Sequence, residues 1–243
     1  MALDRAQLES VMAKNPFSNL GDAVYEVLLE EIMNFDLAHG TLIVERKLAE
    51  LLGVSRSPVK SAIEKLTEND YIESRDGKYY VSSFSEEDFI STMDIAQLLD
   101  SFAAAEAAVK KTPRQMQTLV GLARKHQSLV RALLEGEDKP SCKEVIDADI
   151  GFHSYVVKIA DNKLLSQMYE EIKFKLFRYR SYIVFSDSRR ALETVENDHL
   201  RLCRLIDIGA RDIAAAGAKL HLQIARSEYK NEMSAETFNK RFD

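Results

Sequence analysis

Apolar residues recur at steps of three and four along most of the chain, and the spacing turns to an extended pattern in one short stretch. Leu20, Val24, Val27, Leu28, Ile32 and Phe35 draw one face of an amphipathic helix, with a stop at His39-Gly40. A second, short helix from Val44 to Leu52 presents Leu48, Leu51 and Leu52 and ends at Gly53. Ser55 then stands as the N-cap of a third helix, with Pro58 in its first turn and Val59, Ala62, Ile63 and Leu66 turned inward. After Asn69-Asp70 two β-prone runs, 71–74 and 79–82, flank Arg75-Asp76-Gly77-Lys78, and the Asp-Gly pair predicts a tight hairpin.

Residues 1–15 show little pattern and are expected to form a loose arm. After a connector at 83–86, with Ser85 as N-cap, six helices are predicted, over 86–110, 113–135, 140–160, 162–185, 188–208 and 210–232. The fold class is therefore mainly α: an N-terminal winged helix-turn-helix over 16–83, an all-α helical bundle over 84–235 and a tail over 236–243. Composition agrees, since 243 residues hold 9 Gly, 4 Pro and no Trp. Cys142 and Cys203 lie far apart without a CxxC spacing and read as ordinary thiols. No apolar run approaches the roughly 18–20 residues that span a bilayer, so a cytoplasmic protein with no membrane partner is expected.

The sharpest element is Leu48-Ala49-Glu50-Leu51-Leu52-Gly53-Val54-Ser55-Arg56, where helix, glycine turn and capped second helix follow within a few residues. Such a turn frees the next helix to enter a major groove, led here by Ser55, Arg56, Ser57 and Lys60. Arg can fork two donors onto a guanine edge, and short hydroxyls can reach phosphate. Taken alone, Ser and Arg at a helix start are more often caps and solvated charges. Val24-Tyr25, Leu48-Ala49-Glu50, Gly53 to Lys60 and Leu66 resemble the signature of GntR-type bacterial transcription regulators, LAxxLGVSRTPVREAL, over roughly 20–83. The resemblance implies DNA contacts at Arg46, Ser55, Arg56, Ser57, Lys60 and Gly77. Ser57 replaces the usual Thr and keeps its hydroxyl. Lys60 replaces Arg, exchanging a bidentate fork for a point charge.

A second constellation involves histidine. Asp149 and His153 are four apart on one predicted helix, and His199 and His221 sit on the last two, flanked by Leu202 and Ile206 and by Leu220 and Ile224. One carboxylate and three imidazoles can enclose a divalent cation with a position left open. An i,i+4 ion pair and two satisfied core histidines explain the same pattern. His39 and His126 have no comparable partners and receive no role.

Residues 86–232 look like the FCD ligand-binding domain of the FadR branch of GntR regulators, in which Asp-x3-His and two later histidines hold a divalent ion. That resemblance implies a metal at Asp149, His153, His199 and His221, with Asn162 accompanying them. Zinc is the first expectation, with nickel or manganese as alternatives, and the ion would help to bind a small carboxylate or sugar-acid effector. The family's arginine four residues before an acidic position falls on Ala96, if Asp100 is that position. Arg178 and Arg180 are the candidates to replace it.

The expected function is a ligand-responsive regulator, a repressor, working as a homodimer on a pseudo-palindromic double-stranded DNA operator. The alternative is a metal-dependent enzyme using the same His3Asp set, against which no separate general base is evident. The net charge of −6 by itself argues against DNA, and residues 1–82 alone hold 9 Lys+Arg against 14 Asp+Glu. Gly53 to Ser61, however, carry two cations and no anion. Weak nonspecific attraction to DNA is the consequence, with shallow salt dependence.

Overall fold

Asp4 and Gln7 cap each other across the first turn of α1, Arg5–Lys14, in a reciprocal capping box. The expectation of a loose arm is thus corrected: α1 is a helix. It packs on α2, Leu20–Met33, through Leu8, and Gln7 Nε2 donates to Glu31 Oε1 at 2.7 Å. The computed structural model describes residues 3–33, 36–82, 86–136, 140–185 and 189–234, with the backbone alone at 86, 174, 177–185, 191 and 229–234. Phe35, the Ser85 cap and the tail at 236–243 lie outside the described residues. Two compact units divide between Ser85 and Glu86.

In the first unit β1 (Leu42–Ile43) leads into α3 (Glu45–Leu52) and α4 (Arg56–Glu68), and β2 (Ile72–Arg75) and β3 (Lys78–Val81) follow. α2 lies across α4, and Val24, Leu28, Leu52, Val59, Ile63 and Leu66 are buried between the helices. Leu51 is largely exposed, and Ala49 takes the inward place beside Leu48. Asp76 and Gly77 both have positive φ, 51° and 72°, and Arg75 pairs with Lys78, so the hairpin closes through a two-residue turn of the mirror-image type. The wing has one strand more than expected. β1 pairs antiparallel with β3, Leu42 opposite Tyr80 and Ile43 opposite Tyr79, giving the order β1-β3-β2.

The second unit holds α5 (Glu86–Lys110), α6 (Pro113–Glu135), α7 (Cys142–Ile159), α8 (Lys163–Phe185), α9 (Arg189–Val195), α10 (Asp198–Asp207) and α11 (Arg211–Ser234). Thr112 with Gln115, and Ser141 with Glu144, form capping boxes that start α6 and α7. α5 packs most broadly on α11, where Ala103, Ala104, Ala107 and Ala108 of α5 and Ala214 and Ala218 of α11 are fully buried. Side chains this small let two helices lie close. The single helix expected over 188–208 is broken at Glu196-Asn197. Gln127 of α6 donates to Asn197 Oδ1 at 2.7 Å, and Arg131 Nε to Glu196 Oε1 at 3.0 Å, so α6 fastens the break.

Candidate nucleic-acid interface and metal centre

Gly53 adopts φ 65°, a left-handed conformation that a side chain disfavours, and so ends α3 and sends the chain into α4 within three residues. Val59, Ala62, Ile63 and Leu66 are completely buried, which fixes the opposite face of α4 in solvent. Ser55, Arg56, Ser57 and Lys60 are all exposed there. Ser55 occupies the N-cap position with extended backbone, yet its side chain makes no capping hydrogen bond. Lys60 Nζ lies 3.8 Å from Glu64, and Arg46, exposed at the start of α3, lies 3.6 Å from Glu50. Arg56 has no ion pair among the described residues. Gly77 stands exposed at the wing tip with nothing within 4 Å of a Cβ built on it, so backbone conformation rather than crowding selects glycine.

In the helical unit α7, α10 and α11 bring three imidazoles together. His153, His199 and His221 are 2%, 2% and 8% exposed. His153 Nε2 lies 3.2 Å from both His199 Nε2 and His221 Nε2. Asp149 Oδ1 lies 3.2 Å from His199 Nε2 and 3.9 Å from His153 Nε2. Phe152 stacks on His199, with ring centroids 4.1 Å apart and planes at 22°, which sets the orientation of that imidazole. Burial, and next His126 beside it, hold His199 well below the usual imidazole range, so it is neutral at pH 7.

Carboxylates stand behind two of these rings. His221 Nδ1 donates to Asp198 Oδ2 at 3.1 Å, and His153 Nδ1 lies 2.9 Å from Asp100 Oδ2 of α5. A carboxylate only accepts, so Nδ1 of His221 carries the proton and its Nε2 presents a lone pair. Among the described residues Asp100 Oδ2 has no hydrogen-bond partner despite its closeness to His153. The His221 lone pair faces His153 Nε2 at 3.2 Å, where either a proton on that nitrogen or a cation would meet it. Ligands at 2.0–2.1 Å from a tetrahedral ion would stand about 3.3 Å apart, close to this spacing. The donor set thus fits a divalent metal, and the outer carboxylates are the partners that metal-binding imidazoles ordinarily have.

Several site expectations change. His126, given no role from the sequence, lies on α6 at 4% exposure with Nε2 3.9 Å from Asp149 Oδ1. Its signal was its spacing with Leu119, Ala123 and Val130, the buried face of α6. Asn162 accepts from Leu165 N at 3.1 Å and serves as the cap of α8 rather than joining the cluster. His39 binds the Ser82 carbonyl in the first unit, at 2.8 Å. Ala96 is buried on α5, one turn before Asp100. The side chains of Arg178 and Arg180 lie outside the described residues.

A winged helix with an exposed, cation-bearing helix start, carried by a chain whose second unit is a histidine-centred helical bundle, defines a DNA-binding regulator with a separate helical unit. Family comparison agrees: residues 20–79 match the gntR family of bacterial regulatory proteins and residues 91–224 match the FCD domain. The chain belongs to this GntR/FCD family and is a DNA-binding transcription regulator. It is 27% identical over 210 residues to the HTH-type transcriptional repressor RspR of Escherichia coli K12, covering 86% of this chain and 88% of that protein. With the HTH-type transcriptional regulator YdhC of Bacillus subtilis it shares 24% over 179 residues, 73% of this chain and 76% of that one. The solved structure of E. coli McbR/YncC has the same fold, with a TM-score of 0.69 at 19% identity over 90% of this chain and all of that one. A putative GntR regulator of Rhodococcus sp. RHA1 superposes with a TM-score of 0.65 at 16% identity, over 87% and 97% of the two chains. These families are of regulators, not enzymes, and the alternative of a metal-dependent enzyme finds no support in them. Among the described residues no helix is long and apolar enough to cross a membrane.

Proposed function

We propose that the protein is a cytoplasmic, metal-dependent repressor whose grip on its operator responds to a small carboxylate or sugar acid. The observation that carries this reading is the buried meeting of three imidazole Nε2 atoms beside Asp149, with carboxylates behind two of the rings. His153, His199, His221 and Asp149 would hold the ion. When bound, it supplies a Lewis-acidic position for an effector carboxylate. Asp198 fixes which nitrogen of His221 faces inward, Asp100 places a carboxylate behind His153, and Phe152 keeps His199 in place.

On DNA, Arg56 reads a base edge, Lys60 and Arg46 meet phosphates, Ser55 and Ser57 offer hydroxyls, and Gly77 lets the wing backbone approach. Two copies would dimerise and engage half-sites about 34–36 Å apart, one helical turn. Effector coupling of about 1–3 kcal/mol would weaken operator binding about 5–150-fold. The name of the RspR relative, a repressor, favours this direction over activation.

The test joins metal analysis of the purified protein to a thermal-shift screen of small carboxylates and sugar acids. One acid is expected to raise the melting temperature and weaken operator binding, with no turnover, and His199→Ala and His221→Ala should lose both responses. Responses that survive in both variants overturn the reading.

A further inference from the structure

α5 has a second apolar face that the core does not use. Met93, Ala96, Ala103 and Ala107 are buried on its inward side, whereas Ile95, Leu98, Phe102 and Val109 are 45%, 64%, 47% and 46% exposed. With half-buried Ala105 among them, these positions follow one another at steps of three, four, three and four. That spacing keeps one narrow stripe turned toward a partner helix. At about 1.5 Å per residue the stripe runs about 21 Å along the surface. Exposed apolar side chains scattered singly need no explanation, but a continuous row marks a surface that another chain covers.

The stripe itself says what covers it. Ile95 and Val109, both β-branched, each stand seven residues from Phe102, so the row has the same shape read from either end. A twofold axis near Phe102 lays two copies of α5 across each other antiparallel, with Ile95 of one copy toward Val109 of the other, as a self-complementary contact requires. Charge agrees. The first half of the helix carries Glu87, Asp88 and Asp94, and it ends on Lys110, with Lys111 next in the chain. Antiparallel pairing sets the acidic half against the basic end, whereas parallel pairing sets acid against acid. Within the chain Asp94 pairs with Arg226 and Lys110 with Glu106, so the complementarity lies between the two ends of the helix rather than in one ion pair. We propose that this face of α5 is where a second copy of the chain docks, an inference that rests on the homodimer of the proposed function and names its surface.

The full-length protein provides the test. Light scattering is expected to show a dimer for the wild type. Phe102→Asp sets two like charges face to face and should raise the dimer dissociation constant at least about 100-fold. Its circular dichroism should match the wild type, because Phe102 is not part of the core. Cross-linking locates the axis. A short bis-maleimide reagent should join Phe102→Cys into a covalent dimer, and should join Ile95→Cys only when Val109→Cys is also present, since two copies of position 95 lie about 21 Å apart along an antiparallel pair. Cys142 and Cys203 are buried, so the wild type serves as the unlinked control. Phe102→Asp that stays dimeric, Phe102→Cys that gives no covalent dimer, or Ile95→Cys that links to itself overturns the proposal and leaves the homodimer standing. A wild type that is monomeric at every concentration removes the homodimer and the inference with it, so the two failures are distinguishable.

Discussion

Arg56 and Lys60 stand one turn apart on the exposed face of α4, and their chemistry separates their roles. A guanidinium can discriminate a guanine by about 1–3 kcal/mol, whereas an ammonium near phosphate attracts any sequence. Arg56→Ala should therefore erase the preference for the operator. Lys60→Ala should weaken operator and unrelated DNA alike and lower the salt slope by about 1, as gel shifts at several salt concentrations would report. Glu31 offers a residue-scale pH prediction. Burial, its largest influence, raises its carboxyl above the ordinary value of 4.5, and the hydrogen bond from Gln7 only partly opposes this. Between the ordinary and the raised value the folded unit binds more protons than the unfolded chain, so rising pH costs stability and the cost persists at neutrality. Glu31→Gln, which keeps the acceptor for Gln7, should melt higher than wild type at pH 7 and lose that advantage as pH falls toward 4.5. At this scale the sequence shows residue types but not their convergence. Asp149 and His153 are legible because one helix turn joins them; His126 lies on another helix, and its 3.9 Å approach to Asp149 exists only once α6 packs on α7.

Between α3 and α4 the turn depends on one backbone conformation. Gly53→Ala would force a Cβ into the left-handed region at a cost of about 1–2 kcal/mol. The new atom would also stand 3.2 Å from Arg5 Cδ and Nη1, the end of a side chain that can swing away. The DNA-binding unit should accordingly melt lower by that amount and no more, as differential scanning calorimetry would show; an unchanged melting point contradicts this account of the turn. Long elements with strong periodicity, such as α2, α4 and α6, are legible from apolar spacing alone. Three features are not. β1 has two residues and so no alternation to read. α1 is held by its capping box and by Leu8, too little apolar surface to mark a face. The break between α9 and α10 lacks Gly or Pro, and contacts from Gln127 and Arg131 fasten it instead.

For the whole molecule the two units predict separate responses. On the proposed metal reading, chelation should lower the melting transition of the helical unit and leave that of the winged-helix unit in place, with a shift of up to about 4 kcal/mol if free metal stands near 1,000 times its Kd. Acid should act on the same unit. His199 is held neutral in the fold, so below the ordinary imidazole value of 6.5 the unfolded chain takes up a proton that the folded one refuses. Stability of the helical unit in chelated protein should fall as pH is lowered from there, as melting curves between pH 7 and 5 would check. Asp100 links this chemistry to the chain's own length. It touches His153 from α5, the helix whose first residue, Glu86, is where the chain enters from the DNA-binding unit. At a rise of about 1.5 Å per residue, the stretch from Glu86 to Asp100 is a rod about 21 Å long. A tilt of roughly 5° about Asp100 swings its far end by about 2 Å on that rod length. On that geometry, a tilt of α5 too small to disturb the buried histidines would become, at residue 86, a displacement comparable to a hydrogen-bond length.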